Sequence, residues 1–128
     1  MTLPIRLKTT QVSTHRNALL ASQGGRCALC SLPCDPSNAV LDHDHGTGAI
    51  RSALHRGCNS LLGVLENNHK RYGITNLAAF TNGVAAYLQR HTTNQTGWLH
   101  PTYKTENEKR LRRNTLARKA RANKRATP

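Results

Sequence analysis

Apolar residues recur along this chain in short bursts, and the step between them predicts a different element in each burst. Ser13 has the chemistry of a helix N-cap, and Asn17 to Ser22 supplies Ala and Leu at helical steps. Gly24-Gly25 ends that helix and allows a tight turn after it. Ala39-Val40-Leu41-Asp42 is short, apolar and β-prone, and predicts a strand. Gly46-Thr47-Gly48 is turn chemistry, and Ala49 to Leu54 alternates well enough for a second strand, making a hairpin. From Asn59 the pattern turns helical, with Leu61, Leu62, Val64 and Leu65 as an apolar face ending near Asn67-Asn68. Tyr72-Gly73 is a break. Thr75 or Asn76 then caps a longer helix, reaching His91, in which Leu77, Phe80, Val84, Tyr87 and Leu88 recur at steps of three and four. That face is expected to be core, because a small domain needs the burial, with a partner surface as the alternative.

The flanks of this pattern are polar. Residues 1–12 read as an extended lead-in bearing Arg6 and Lys8, and residues 92–103 as a linker with Gly97 and Pro101. Residues 104–128 hold ten Lys and Arg against Glu106 and Glu108, with Leu111 and Leu116 as the large aliphatics. This segment predicts either a basic helix that orders on nucleic acid or a disordered basic arm.

Composition sharpens this in two ways. The 128 residues carry 19 Lys and Arg against 6 Asp and Glu, a formal charge of +13, which points to a polyanion and first to nucleic acid. Aromatic residues make up 4% of the chain, so the core is expected to be small and a structural metal would compensate. No apolar run approaches the roughly 20 residues of a membrane helix. Met1 to Lys8 lacks the apolar stretch of a signal peptide. A cytoplasmic, reducing location is therefore expected, and disulfides are not.

The chemistry concentrates between Cys27 and Asn59. Cys27 and Cys30 are two residues apart, and so are His55 and Cys58, the spacing with which a turn offers two ligands to one face of a tetrahedral zinc ion. A rival quartet replaces His55 with Cys34, but Cys34 lies past Pro33 and out of register with the pairs. Four buried thiols without metal fit poorly beside Arg26, Ser31 and Asp35. Between the pairs stands Asp42-His43-Asp44-His45. A persisting strand would put Asp42 and Asp44 on one face and His43 and His45 on the other. An acid and an imidazole there suit metal-assisted phosphodiester hydrolysis; a solvated polar turn is the bland alternative. A more remote alternative makes this cluster the zinc site and the cysteines redox-active.

Cys27-x-x-Cys30, Leu41-Asp42-His43-Asp44-His45, Arg51, Cys58-Asn59 and Leu62-Gly63 together resemble the recombination endonuclease VII family over about residues 25–68. These are phage-encoded His-Me finger nucleases related to the HNH group. The resemblance implies a zinc-stabilised ββα-metal finger; with the flanking helices and the basic C-terminal tail, a small α+β fold is expected, its nuclease domain over residues 13–91. It implies His43 as general base, and Asp42 and Asn59 as ligands of a catalytic Mg2+ or Mn2+. It implies duplex DNA as substrate, with branched forms such as Holliday junctions within reach, a homodimer, and the cytoplasm of an infected bacterium as location. His45 and Arg51 are candidate phosphate contacts, as are Lys109, Arg110, Arg112 and Arg113 in the tail. Two positions depart from the family pattern: His55 stands where cysteine is common, and Leu62 where a glutamate occurs. Glu66, one turn further on, carries no assigned role. The alternative from another class is a non-catalytic zinc-finger nucleic-acid-binding protein.

Overall fold

The computed structural model describes residues 2–127. Its chain divides into two compact units, Met1–Asn82 and Gly83–Pro128. The first unit contains α1 (Val12–Ser22), a two-stranded antiparallel sheet of β1 (Ala39–His43) and β2 (Ile50–His55), and α2 (Arg56–Asn68). Helix α3 (Leu77–Arg90) carries the boundary, and α4 (Glu106–Ala126) lies in the second unit. The small α+β class expected from the sequence is the fold observed.

Helix α1 begins two residues earlier than the sequence suggested. Its N-cap is Gln11, preceded by a 3-10 turn at Thr9–Gln11, so Ser13 sits inside the helix and the lead-in is shorter than residues 1–12. Gly24 and Gly25 then take left-handed φ of 70° and 71°, and their N–H groups donate to Ala21 and Leu20 carbonyls at 3.0 and 2.9 Å. This reversal delivers the chain into a tight loop closed by an Arg26–Pro33 bridge. There Cys27 N–H donates to the Leu32 carbonyl at 3.0 Å and Ser31 N–H to the Cys27 carbonyl at 3.0 Å.

The strands differ from expectation by one residue at their ends. Register pairs Ala39 with His55, Val40 with Leu54, Leu41 with Ala53 and His43 with Ile50. The register shifts between Leu41 and His43, so Asp42 sits at an irregularity. The simple alternation of Asp42 with Asp44 therefore fails, because the strand bulges at one and ends before the other. Helix α2 starts at Arg56 rather than Asn59, which leaves Asn59 in its first turn.

Leu20, Cys27, Cys34, Ala39, Ala53 and Leu54 form the buried core, with Leu19, Cys58 and Leu62 packed against it. Cys27 and Cys34 thus belong to the core despite their polar sequence neighbours. Leu61 and Val64 on α2 are exposed, so its buried face is narrower than the apolar pattern implied. The core expectation for α3 is also overturned. None of its residues is buried, and Phe80, Tyr87 and Leu88 are 42–62% exposed. Its periodicity marks an amphipathic helix without saying what covers the apolar side. Asn76 does cap it, its side chain accepting from Ala79 N–H at 3.0 Å.

One side chain ties α1 to the sheet. Gln23 Nε2 donates to the Arg26 and Ala53 carbonyls at 2.8 and 2.9 Å, while its Oε1 accepts from Ala53 N–H at 2.9 Å. Ala53 is fully buried, so its backbone has no water to fall back on. Gln23→Ala should lower stability in a urea titration by about 1–3 kcal/mol, the cost of stranding the buried Ala53 N–H, since the Ala53 carbonyl still accepts from Ala28 N–H at 3.3 Å; an unchanged midpoint would show that the clamp contributes nothing.

Candidate metal centres and active site

Three elements converge on four ligands. Cys27 and Cys30 come from the tight loop, His55 ends β2, and Cys58 lies in the first turn of α2. One donor atom from each lies within 4.8 Å of every other. His55 Nδ1 is 3.2 Å from Cys30 Sγ and 3.9 Å from Cys58 Sγ. Its Nε2 is 2.9 Å from the Pro33 carbonyl, which can only accept, so Nε2 carries the proton and Nδ1 keeps its lone pair for a metal. A Cys3His set suits tetrahedral zinc, and this cluster suggests a structural zinc site. Cys34 takes no part; its Sγ faces the Asp35 carbonyl at 3.7 Å within the core.

The thiols are already polarised. Burial pushes Cys27 up, but N–H groups of Cys30, His55 and Leu29 outweigh it and bring the thiol down to about 6. Cys58 is pushed up to about 11, first by burial and then by its neighbours Cys30 and Cys27. Burial also raises Cys34, reinforced by charge on Cys27 and Asp35. Hydrogen bonding to the Pro33 carbonyl and the adjacent thiols raises His55.

The acid–imidazole cluster separates into distinct roles. Asp44 organises the turn between the strands: its Oδ1 accepts from Gly46 and Thr47 N–H at 2.8 and 2.9 Å. Those two bonds, Thr47 first, hold its carboxyl below the ordinary range. Asp42 is buried and faces Arg51 of β2, which reaches it with Nε at 2.6 Å and Nη2 at 3.0 Å. The same guanidinium bridges to Glu66 on α2 at 3.0 and 3.1 Å. Glu66 and then Asp42 raise the arginine's already high basicity. Sequence assigns Glu66 no role, although it follows Asn59 by seven residues, two turns along one helix face.

His43 and His45 stack, with ring centroids 4.8 Å apart. They open on different hollows. Asp42, His45, Asn59, Gly63 and Glu66 line a concavity of about 310 Å3, whereas His43 lines one of about 540 Å3 with Ile5, Arg6 and Leu41. In the second unit, α4 carries the four candidate basic residues. Lys109 pairs with Glu106 at 2.9 Å and Arg110 donates to Asn107 at 2.8 Å; among the described residues Arg112 and Arg113 make no ion pair. No described helix is long and apolar enough to cross a membrane.

A zinc-type knuckle joined to a β-hairpin and helix, with a carboxylate, two imidazoles and an amide beside it, defines a small metal-finger protein. A family model described as recombination endonuclease VII matches residues 4–90, and the chain belongs to that family. The match extends well beyond the motifs of residues 25–68. Comparison with curated proteins returns no match. The family is one of endonucleases, which implies DNA as the substrate.

Arg51 answers the buried charge of Asp42, and the pair is not symmetrical: Arg51 is one-third exposed, whereas Asp42 is almost wholly enclosed. Removing the arginine strands a carboxylate. Arg51→Met should cost about 1–3 kcal/mol of stability without added divalent ion, with solvent access at the arginine holding it below a fully buried pair. Arg51→Lys should recover part of that, since an ammonium cannot fork to both carboxylates. Urea titration of both variants checks this, and equal stability of Arg51→Met and the parent would contradict it.

Proposed function

We infer that this protein is a divalent-metal-dependent DNA endonuclease in which His43 acts as general base and Asp42 and Asn59 hold Mg2+ or Mn2+. The observation that carries this reading is the family match across residues 4–90, which spans every residue of the cluster. The donor set fits a hard cation. Asp42 and Asn59 offer oxygen ligands in one concavity, and Asp42 and Glu66 already share a cationic group there, the guanidinium of Arg51. When bound, the metal would stabilise charge on the phosphoryl oxygens and the leaving 3′ oxygen.

The remaining chemistry belongs to side chains. His43 removes a proton from the attacking water as its oxygen bonds to phosphorus, the phosphorus–O3′ bond breaks, and O3′ takes a proton from water, leaving a 5′-phosphate and a 3′-hydroxyl. Arg51 pairs with Asp42, and its guanidinium would offer a fork of donors to a phosphate oxygen of bound DNA. Glu66 restrains that arginine from the other side. It lies one turn beyond Leu62, the position at which the resemblance led to an expected glutamate. The zinc quartet holds β2 and α2 in fixed relation, so Asn59, next to Cys58 in sequence, is presented toward Asp42. Branched DNA is the proposed preferred substrate, and a homodimer the form that would make paired cuts.

One observation favours a second assignment of the base. His45, rather than His43, lines the concavity with Asp42 and Asn59. The stacked rings leave both imidazoles near the cluster. Supercoiled plasmid and a synthetic four-way junction, incubated with Mg2+ beside His43→Ala and His45→Ala, separate these. The expected result is Mg2+-dependent cutting that falls by about 100-fold or more in His43→Ala, the usual scale of general-base loss, and by less in His45→Ala. The reverse ranking moves the base to His45. No cutting by the parent protein, with salt-sensitive binding retained, would leave a binding module instead.

A further inference from the structure

Helix α4 holds nine Lys and Arg in 21 residues, against Glu106 and Glu108, and buries none of them. A helix that is polar all round is not held by packing, so its order rests on local devices. Thr105 caps it by accepting from Glu108 N–H at 3.2 Å, and Glu106 pairs with Lys109. What matters is how the charge is distributed around the axis.

At 3.6 residues per turn the helix has four distinct sides. Arg113, Ala117, Ala120 and Lys124, at steps of four, three and four, share one side, with Glu106 at its N-terminal end, where it pairs with Lys109. Leu111, Thr115, Ala122 and Ala126 share the opposite side, which is uncharged apart from Glu108 at its N-terminal end. Between these sides lie two basic flanks: Arg118, Arg121 and Arg125 on one, Lys109, Arg112 and Lys119 on the other. A helix lying on a flat anionic surface such as a bilayer needs its cations flanking one broad apolar face, which α4 lacks. Cations on two opposed flanks fit a trough whose two walls are both anionic. The major groove of duplex DNA is such a trough, about 12 Å wide for a helix of roughly 10–12 Å, with a phosphate strand along each wall.

We propose that α4 lies lengthwise in the major groove of B-form duplex DNA, its flanks on the two phosphate strands and its Ala117–Ala120 side toward the base edges. The small side chains let the helix backbone sink to the groove floor, where Arg113 and Lys124 reach guanine O6 and N7. The Leu111–Thr115–Ala122 side faces away. The choice of DNA rests on the endonuclease reading; the groove geometry rests on α4 alone.

The test uses full-length, zinc-loaded His43→Ala protein without other divalent ions, so binding is seen without cutting. Its probes are a linear 30-base-pair duplex of mixed sequence and the same sequence as duplex RNA. Dimethyl sulfate marks guanine N7 in the major groove and adenine N3 in the minor groove. Protection of guanine N7 but not adenine N3 is expected, and so is weaker binding to the RNA, whose deep, narrow major groove excludes a helix. Two neutral double variants with good helix formers, and helicity checked by circular dichroism, separate the sides. Ala117→Gln with Ala120→Gln should weaken binding by about tenfold. Ala122→Gln with Ala126→Gln should change it less than about twofold. Removing one flank cation, as in Arg112→Gln, should reduce the salt slope by about one. Equal effects of the two Ala pairs, protection at adenine N3, or equal binding of the RNA duplex would each overturn the proposal. Intact N7 protection in a parent protein that never cuts DNA would sink the nuclease reading alone. Normal cutting without N7 protection would sink this one alone.

Discussion

Four ligands drawn from three separate elements must meet within 4.8 Å, and the rest of the first unit depends on that convergence. The core is too small to fix the elements unaided: of its six buried residues, Leu20 and Leu54 are the large aliphatics, and the others are two cysteines and two alanines. A metal at the quartet would tie the tight loop to the last residue of β2 and the first turn of α2. It would thereby set the angle at which α2 leaves the sheet. Asn59 follows Cys58 directly, and Glu66 lies two turns on, so that angle decides whether either side chain shares a concavity with Asp42. Structural and catalytic chemistry are thus linked through about one turn of helix.

The second constraint is electrostatic. Asp42 is a buried carboxylate in a chain of +13, and Arg51 meets its charge with a two-point fork. Glu66 draws the same guanidinium from the helix side, so the arginine is shared rather than sequestered. Two carboxylates around one guanidinium leave neither acid unpaired in this corner of the fold. The strongly positive second unit is built oppositely. Helix α4 is held by a cap and local pairs, and it leaves most of its charge for a polyanion.

What the sequence disclosed follows the range of the interactions involved. The Cys27–Cys30 and His55–Cys58 pairs are local, and their spacing alone predicted the quartet that the fold assembles. The hairpin was legible from an apolar run, a Gly-Thr-Gly turn and a second run. The cap of α4 was also readable, since Thr105 followed three residues later by Glu108 is a capping-box signature, yet composition alone had left helix and disorder open. The Arg51–Glu66 bridge was not legible, because it spans 15 residues and depends on how α2 leaves the sheet. Nor was the register shift at Asp42, which depends on pairing across the hairpin. The face of α3 was misread because periodicity reports which side is apolar, not whether anything covers it.

One metal at the quartet would hold the hairpin and α2 in the relation that the candidate active site needs. Hydrogen exchange by mass spectrometry, on zinc-loaded and chelator-treated protein beside Cys58→Ala and Cys34→Ala, tests it most directly. One zinc per chain is expected. Peptides from the tight loop, from β1–β2 and from α2 should lose protection together when zinc is removed or Cys58 replaced, and Cys34→Ala should keep its zinc. Persistent protection of the hairpin and α2 without zinc, or loss of zinc from Cys34→Ala but not from Cys58→Ala, would contradict it.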